Sequence, residues 1–271
     1  MTTNKVLVLG DGVVAAELAD AWRSKGLTVD GYLFDGPIPE WKQEPFELLN
    51  AQLAALDLTS YEAVVLAFSS EKAVVRHIAR DLEHQVGADT LFLVSAMSCA
   101  ATETASWLEH PERVIGFGYV PPFAGVKCAE LSKPLQGLSQ HADQAAGLFA
   151  SLGVETAFVG DSAGLVMPRL VSAIINEAVT ALMEGVASAA DLDTAMKLGV
   201  NYPHGPLEWA DRIGLDQVYA TLRGVYEEQG EDRYRPAPLL RRMVLAGLYG
   251  RRSGYGGFYE YETENEVTEH A

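Results

Sequence analysis

The first half of the chain alternates short apolar runs with longer stretches in which apolar residues recur every three or four positions. The runs predict buried strands, and the periodic stretches predict amphipathic helices. Apolar strands separated by helices indicate a parallel sheet that is covered on both faces and doubly wound by right-handed crossovers. The predicted strands span 6–9, 27–34, 63–68, 90–94, 114–117 and 156–159, and the predicted helices span 13–25, 71–85 and 141–152.

The pattern becomes helical after the segment GDSAG at 160–164. From 170 to 186, apolar residues recur at i, i+1, i+4 and i+5, which gives a broad stripe that other helices or a second subunit must bury. Further helices are predicted at 207–228 and 238–248. The sequence therefore predicts the α/β fold class in two domains, a doubly wound parallel sheet over 1–163 and an all-α domain over 164–271.

Composition and charge narrow the classes of function. The 271 residues are 48 % hydrophobic and 21 % charged, as in a globular protein that buries a proper core. Lys and Arg number 20 against 37 Asp and Glu, and the net charge of −17 argues against nucleic acid and against an anionic membrane surface as partners. The sequence shows no signal-peptide pattern, no run of 18 apolar residues and no CxxC pair. We therefore expect a cytoplasmic protein without a metal site.

A glycine-rich turn follows the first predicted strand directly, in the sequence VLVLGDGVVA at 6–15. Gly10, Gly12 and Ala15 form a GxGxxA pattern between a strand and a helix, which is the setting of a dinucleotide-binding turn. There Gly10 permits the bend, Gly12 lets a pyrophosphate approach the backbone, and Ala15 lets the helix pack on the strand. Asp35 follows the second strand, where an acid binds the ribose hydroxyls, and the lack of a following Arg favours NAD over NADP. The alternative is a tight turn without a ligand.

Five motifs follow one another in the second half: DTAMKLG (193–199), YPHGP (202–206), GLD (214–216), PAPLL (236–240), and GRRSG (250–254) with GFY (257–259). In these motifs the chain resembles the 3-hydroxyacyl-CoA dehydrogenases, including the bacterial 3-hydroxybutyryl-CoA dehydrogenases. The resemblance is strong from about 158 to 260 and weaker before, where RVIG (113–116) and VGDSAG (159–164) are similar to the family's strand and hinge segments.

The resemblance implies a Rossmann-type NAD-binding domain, a helical dimerisation domain and a substrate cleft between them. It also implies a homodimer that oxidises a (3S)-hydroxyacyl-CoA to its 3-oxo form, as an enzyme of fatty acid metabolism. The family's catalytic pair is a His that removes the hydroxyl proton and a Glu that orients the His, because hydride leaves the carbinol carbon only as its oxygen loses a proton.

Residue by residue, the resemblance gives an altered site. The family's GLHFFNP reads GFGYVPP at 116–122, so Gly118 takes the position of the catalytic His, and Glu130 keeps the position of its partner. Pro168 stands where the family has an Asn, and Met97 stands at a substrate-contacting Ser, with Ser98 directly after it. We therefore predict Glu130 and Ser98 as the catalytic residues.

Each candidate for the missing imidazole has a structural alternative. Glu130 is either a general base or one member of an ion pair with Lys127 or Lys133. Tyr119, which adjoins the vacant position, is either a hydrogen-bond donor to substrate or a core aromatic residue. His204, in the YPHGP turn, is either a substitute base or a turn residue.

Two functions remain open at the level of sequence. The first is an NAD-dependent oxidoreductase that interconverts a 3-hydroxyacyl substrate and its 3-oxo form. The substrate is a small acyl compound, either a CoA thioester or a less anionic one, because residues 35–62 carry six acids and one base, Lys42. The second is a catalytically impaired paralogue that serves as an NAD-binding dimeric or regulatory module, which Gly118 favours.

Overall fold

A computed structural model describes residues 5–34, 37, 44–69, 71–251 and 256–260. Seven strands in this part of the chain form one sheet, in the order β2-β1-β3-β4-β5-β6-β7. All neighbouring strands run parallel except β5 and β6, which are antiparallel. The strands are β1 (Lys5–Asp11), β2 (Thr28–Phe34), β3 (Ala63–Ala67), β4 (Leu91–Ser95), β5 (Val114–Gly118), β6 (Cys128–Ser132) and β7 (Glu155–Val159).

The antiparallel strand β6 was not predicted from the sequence, although the predicted parallel sheet is confirmed as a mostly parallel one. The run CAELS at 128–132 is short and contains one acidic residue, so it lacks the apolar character of the other strands. It enters the sheet because the chain turns back directly after β5, which places Gly118 opposite Glu130.

Helices cover both faces of this sheet, as the apolar pattern predicted. They are α1 (Gly12–Ser24), α2 (Glu44–Leu53), α3 (Lys72–Glu83), α4 (Ala101–Ala105) and α5 (Ser139–Ser151). On one face α1 and α5 meet, where the Trp22 indole packs against Phe149 and donates a hydrogen bond to the Leu148 carbonyl at 3.0 Å. On the other face the core contains Leu49 of α2 and Ile78 of α3.

The remaining helices form a third apolar core of their own, which contains residues between Val171 and Met243. They are α6 (Met167–Met183), α7 (Ala189–Val200), α8 (Pro206–Ile213), α9 (Leu215–Gln229) and α10 (Pro238–Leu245). The single helix expected over 207–228 is two helices, because Gly214 has a φ of 101° that ends α8 and starts α9 in a new direction. The boundary at 163/164 stays a prediction. Across the described residues, no helix combines the length and apolarity that crossing a bilayer requires.

Candidate active site

The glycine-rich turn lies at the carboxyl end of β1. A Cβ atom on Gly10 would lie 2.2 Å from the Ala67 carbonyl oxygen and 2.6 Å from the Ala15 Cβ, so only glycine fits between the strand and the helix. Gly12 has a φ of 71°, in the left-handed region that favours glycine. The Asp11 side chain does not cap α1, so the first N–H groups of this helix are left for a ligand.

The side chain of Asp11 contacts the turn after a neighbouring strand, a contact that the sequence did not predict. The residue is 1 % exposed, and its Oδ1 accepts hydrogen bonds from the Ser69 backbone amide at 2.5 Å and the Ser69 hydroxyl at 2.7 Å. Ser69 follows β3, the neighbour of β1 in the sheet. The carboxylate therefore links the turn after β1 to the turn after β3. Both turns lie at the carboxyl ends of the strands, where the predicted nucleotide would bind.

The predicted ribose ligand, Asp35, lies outside the described residues. The strand before it ends at Phe34, which is in register with Asp11 of β1. The second strand therefore reaches the level of the glycine-rich turn, and the ribose role of Asp35 stays a prediction.

Gly118, at the position of the family's catalytic His, is surrounded by apolar side chains. A Cβ atom on Gly118 would lie 2.8 Å from Leu165 Cδ1, 3.2 Å from Met97 Cγ and 3.6 Å from Pro168 Cγ. The neighbouring cavity between the two domains measures about 10 Å³, which is near the minimum for one water molecule. Its polar lining comes from Ser172, Gln217 and Thr221, and these residues offer no imidazole or carboxylate.

Glu130 faces the start of α6. Its side chain is buried, and its two oxygens accept hydrogen bonds from the backbone amides of Val166 at 2.7 Å and Met167 at 2.8 Å. A carboxylate at a helix N-terminus both satisfies these donors and complements the helix dipole. Lys127 and Lys133 are both described, and neither is within ion-pair distance of Glu130 in this part of the structure. Glu130 thus joins β6 to the helical domain, and its catalytic role stays a prediction.

Ser98, the second predicted catalytic residue, lies in the turn between β4 and α4. Its backbone packs against α9, because a Cβ atom on Gly224 would lie 2.0 Å from the Ser98 carbonyl oxygen. No hydrogen bond links Ser98 with Glu130 within the described residues. The structure therefore places both at the junction of the two domains without joining them.

Tyr119 contacts α1, and His204 contacts residues of α8. The buried Tyr119 hydroxyl donates to the Val14 carbonyl at 3.3 Å and contacts the Glu17 carboxylate at 3.4 Å, so it points to α1. Burial raises the pKa values of both Tyr119 and Glu17. His204 lies 3.7 Å from Glu208 and packs edge-on against the Trp209 ring.

A cluster of charges holds the helical domain against the sheet domain. Lys72, at the start of α3, lies 2.9 Å from Glu103 and 3.3 Å from Glu227 of α9. Arg223 of α9 pairs with Glu71 and also lies 3.6 Å from Glu227. Because these pairs connect α9 with the first residues of α3, they lie at the carboxyl edge of the sheet.

A sheet domain with a GxGxxA turn, followed by a helical domain that closes on the carboxyl ends of its strands, has the architecture of a dinucleotide-dependent dehydrogenase. Residues 164–261 match the family model described as 3-hydroxyacyl-CoA dehydrogenase, C-terminal domain. The chain is 34 % identical over 201 residues to a probable 3-hydroxybutyryl-CoA dehydrogenase of Bacillus subtilis, covering 74 % of this chain and 70 % of that protein. It is likewise 34 % identical over 205 residues to a 3-hydroxybutyryl-CoA dehydrogenase of Clostridioides difficile, covering 76 % and 73 %.

Among solved structures, the (S)-3-hydroxybutyryl-CoA dehydrogenase of Ralstonia eutropha superimposes with a TM-score of 0.72 at 28 % identity, over 96 % of this chain and 100 % of that one. The chain belongs to the 3-hydroxyacyl-CoA dehydrogenase family, a family of oxidoreductases. The family prediction from the sequence motifs is confirmed, as is the fold class of a Rossmann-type domain with a helical C-terminal domain.

Proposed function

We propose that this protein is an NAD-dependent oxidoreductase that interconverts a 3-hydroxyacyl substrate and its 3-oxo form. The observation that carries the proposal is the 34 % identity to 3-hydroxybutyryl-CoA dehydrogenases over about three quarters of the chain. Relatives that share both domains at this level share the cleft between them, although chemistry within a cleft depends on particular residues.

The proposed cofactor is NAD, held at the start of α1. Gly10 and Ala15 let α1 pack closely on the strands, Gly12 takes a left-handed backbone with a φ of 71°, and the N-terminus of α1, which has no side-chain cap, faces the proposed pyrophosphate. These residues fit a dinucleotide, and Asp35 is the proposed ribose ligand. NAD supplies the hydride acceptor when it is bound.

The proposed catalytic residues remain Glu130 and Ser98. Each oxygen of Glu130 accepts one backbone hydrogen bond, and a carboxylate oxygen can accept two. Glu130 is in register with Gly118, so its carboxylate is the ionisable group on the strand next to the vacant position. In this proposal it takes the hydroxyl proton, and Ser98 contacts the substrate from the β4–α4 turn.

A second candidate function, a paralogue that binds the dinucleotide without turnover, is favoured by the surroundings of Gly118. Met97, Leu165 and Pro168 pack around the backbone where the family has an imidazole, and the cavity beside them holds at most about one water. A general base must reach the proton that it removes, directly or through one water.

One set of assays separates the two functions. Binding is measured by NADH and NADPH fluorescence, and turnover by NADH oxidation with acetoacetyl-CoA and with the N-acetylcysteamine thioester of acetoacetate, which lacks the CoA phosphates. Turnover supports the oxidoreductase, NADH binding without turnover supports the paralogue, and binding of neither nucleotide refutes both. A preference for the short thioester would show that the acidic 35–62 segment disfavours CoA.

Glu130→Gln tests the proposed base, and Asp20→Asn is its matched control because Asp20 is an exposed acid on the outer side of α1. We expect Glu130→Gln to abolish turnover and Asp20→Asn to leave it unchanged. Full activity in a folded Glu130→Gln variant would show that another group removes the proton.

The proposed assembly is a homodimer formed through the helical domain, in a cytoplasmic setting within fatty acid metabolism. Support for the dimer comes from large apolar side chains that the helices leave exposed, namely Met167, Leu170, Met183, Leu198, Val200 and Leu245. Sedimentation equilibrium of the wild type and of Leu170→Glu tests it. A wild-type monomer at micromolar concentration would refute the dimer.

A further inference from the structure

Three buried polar side chains of the helical domain, the polar cluster, meet near Gly118. Ser172 of α6 is 4 % exposed, and Gln217 and Thr221 of α9 are 7 % and 1 % exposed. All three line the small cavity between the two domains, and Met97 lines it with them. Because Met97 also lies 3.2 Å from a Cβ atom placed on Gly118, the polar cluster is next to the position of the family's catalytic His.

The polar cluster leaves most of its hydrogen-bonding capacity unused within the described residues. The Gln217 Nε2 donates to the Thr221 Oγ1 at 3.4 Å, beyond the usual range of about 2.7–3.2 Å. The Ser172 hydroxyl has no hydrogen-bond partner in the part of the chain that the structure describes. Buried polar groups are almost always paired, with protein, water or ligand. The cavity is therefore the place where a partner for these groups belongs.

The size and the lining of the cavity define that partner. Its volume of about 10 Å³ is room for one water or one oxygen atom of a ligand. No acidic or basic side chain lines it, and the hydroxyl of Tyr119, which also lines it, points to α1. A charged group would lose its hydration here without gaining an opposite charge. A single neutral oxygen, of a hydroxyl or a carbonyl, is the group that fits.

We propose that Ser172 and Gln217 are specificity-determining residues that bind the neutral oxygen at C3 of the substrate, with Thr221 holding the Gln217 amide. The inference rests on the proposed function, in which the cleft takes a 3-hydroxyacyl or 3-oxoacyl compound. A hydroxyl and an amide can each donate to a carbonyl and accept from a hydroxyl, so the polar cluster serves both forms of the substrate. It orients the oxygen and removes no proton, since neither group is a base near neutral pH.

The test uses pairs of ligands that differ only in this oxygen. Acetoacetyl and butyryl thioesters, each of CoA and of N-acetylcysteamine, are titrated by calorimetry in the presence of oxidised NAD, which has no hydride to give to the 3-oxo compound. The variants are Ser172→Ala and Gln217→Met, which keeps the length of the side chain. Thr180→Val is the matched control, because the Thr180 hydroxyl on the same helix α6 bonds the Asn176 carbonyl and does not line the cavity.

We expect the wild type to bind the acetoacetyl thioester about tenfold tighter or more than the butyryl one, because a site built to bond an oxygen rejects the analogue that lacks it. Each variant should lower this preference about three- to tenfold, as loss of one neutral hydrogen bond predicts, with butyryl affinity unchanged. Thr180→Val should keep the preference within about twofold of the wild type.

An unchanged preference in either folded variant would overturn the role of that residue and leave the proposed function intact. Equal losses for both thioesters would overturn it as well, since the side chain would then only support the fold. Absence of binding of NADH and of every thioester would overturn the proposed function together with this inference. If either variant does not fold, as judged by circular dichroism, Thr221→Val replaces it, and the same fall in preference is expected.

Discussion

Replacement of Glu130 gives a direct measure of how the two domains are held together. Glu130→Ala removes both acceptors of the Val166 and Met167 amides, whose hydrogen bonds measure 2.7 and 2.8 Å. A hydrogen bond to a charged group contributes about 1.5–3 kcal/mol, so two give about 3–6 kcal/mol. Val166 and Met167 are 45 % and 47 % exposed, so water replaces part of the loss. We expect Glu130→Ala to lower the free energy of unfolding by about 2–4 kcal/mol.

Glu130→Gln keeps one carbonyl oxygen for one of these amides but loses the charge and the second acceptor. We expect it to lower the free energy of unfolding by about 1–2 kcal/mol. Glu155→Ala on β7, where the residue is exposed, is the matched control and should change the free energy by less than about 0.5 kcal/mol.

The measurement is urea unfolding followed by circular dichroism at pH 7, with midpoint and slope fitted separately. A loss below about 1 kcal/mol in Glu130→Ala with an unchanged slope would refute the reasoning. It would mean that solvent satisfies the start of α6 and that Glu130 is free for another role.

Three further predictions concern close packing and thiol chemistry. Gly118→Ala should cost about 1–2 kcal/mol of unfolding free energy, because its Cβ meets a flexible leucine tip at 2.8 Å; a neutral result would show that the site is roomy. Gly224→Ala should lower the free energy of unfolding by more than about 3 kcal/mol, because its Cβ would meet the Ser98 carbonyl oxygen at 2.0 Å. Gly147→Ala, whose Cβ would point into open space on α5, should raise the free energy of unfolding by about 0.5–1 kcal/mol. Equal unfolding midpoints for the two alanine variants would contradict this packing. Iodoacetamide at pH 8 should modify the exposed Cys128 and spare Cys99, because burial raises the pKa of the Cys99 thiol to about 12; mass spectrometry showing two rapid additions to the native protein would refute it.

Much of the fold was predictable because its signals are local. Short apolar runs marked six of the seven strands of the described sheet, and the 3.6-residue period marked the main helices, since each pattern reflects which neighbours along the chain face the core. The GxGxxA turn was equally readable, because the bend at Gly10 and the left-handed backbone of Gly12 are requirements of single residues. The family followed from motifs of the helical domain.

The candidate site was less predictable, because its decisive contacts join distant segments. Sequence identified the replacement of His by Gly118, but only the structure shows that Met97, after β4, meets Leu165 and Pro168, at the start of α6, around it. Glu130 was recognised as a retained family residue from the sequence. Its hydrogen bonds to the start of α6 depend on the antiparallel strand β6, which the hydrophobic pattern did not predict.

The sequence by itself thus determined the two domains, the glycine-rich turn and the family, since these arise from backbone geometry and from patterns within short windows. Tertiary structure alone decided what the Asp11 side chain contacts and which side chains surround Gly118. The physical reason is that these contacts join distant parts of the chain. Asp11 and Ser69 are 58 residues apart, and only the pairing of β1 with β3 brings them together. In the sequence, Asp11 is indistinguishable from an exposed polar turn residue, whereas in the fold it is buried against the turn after β3.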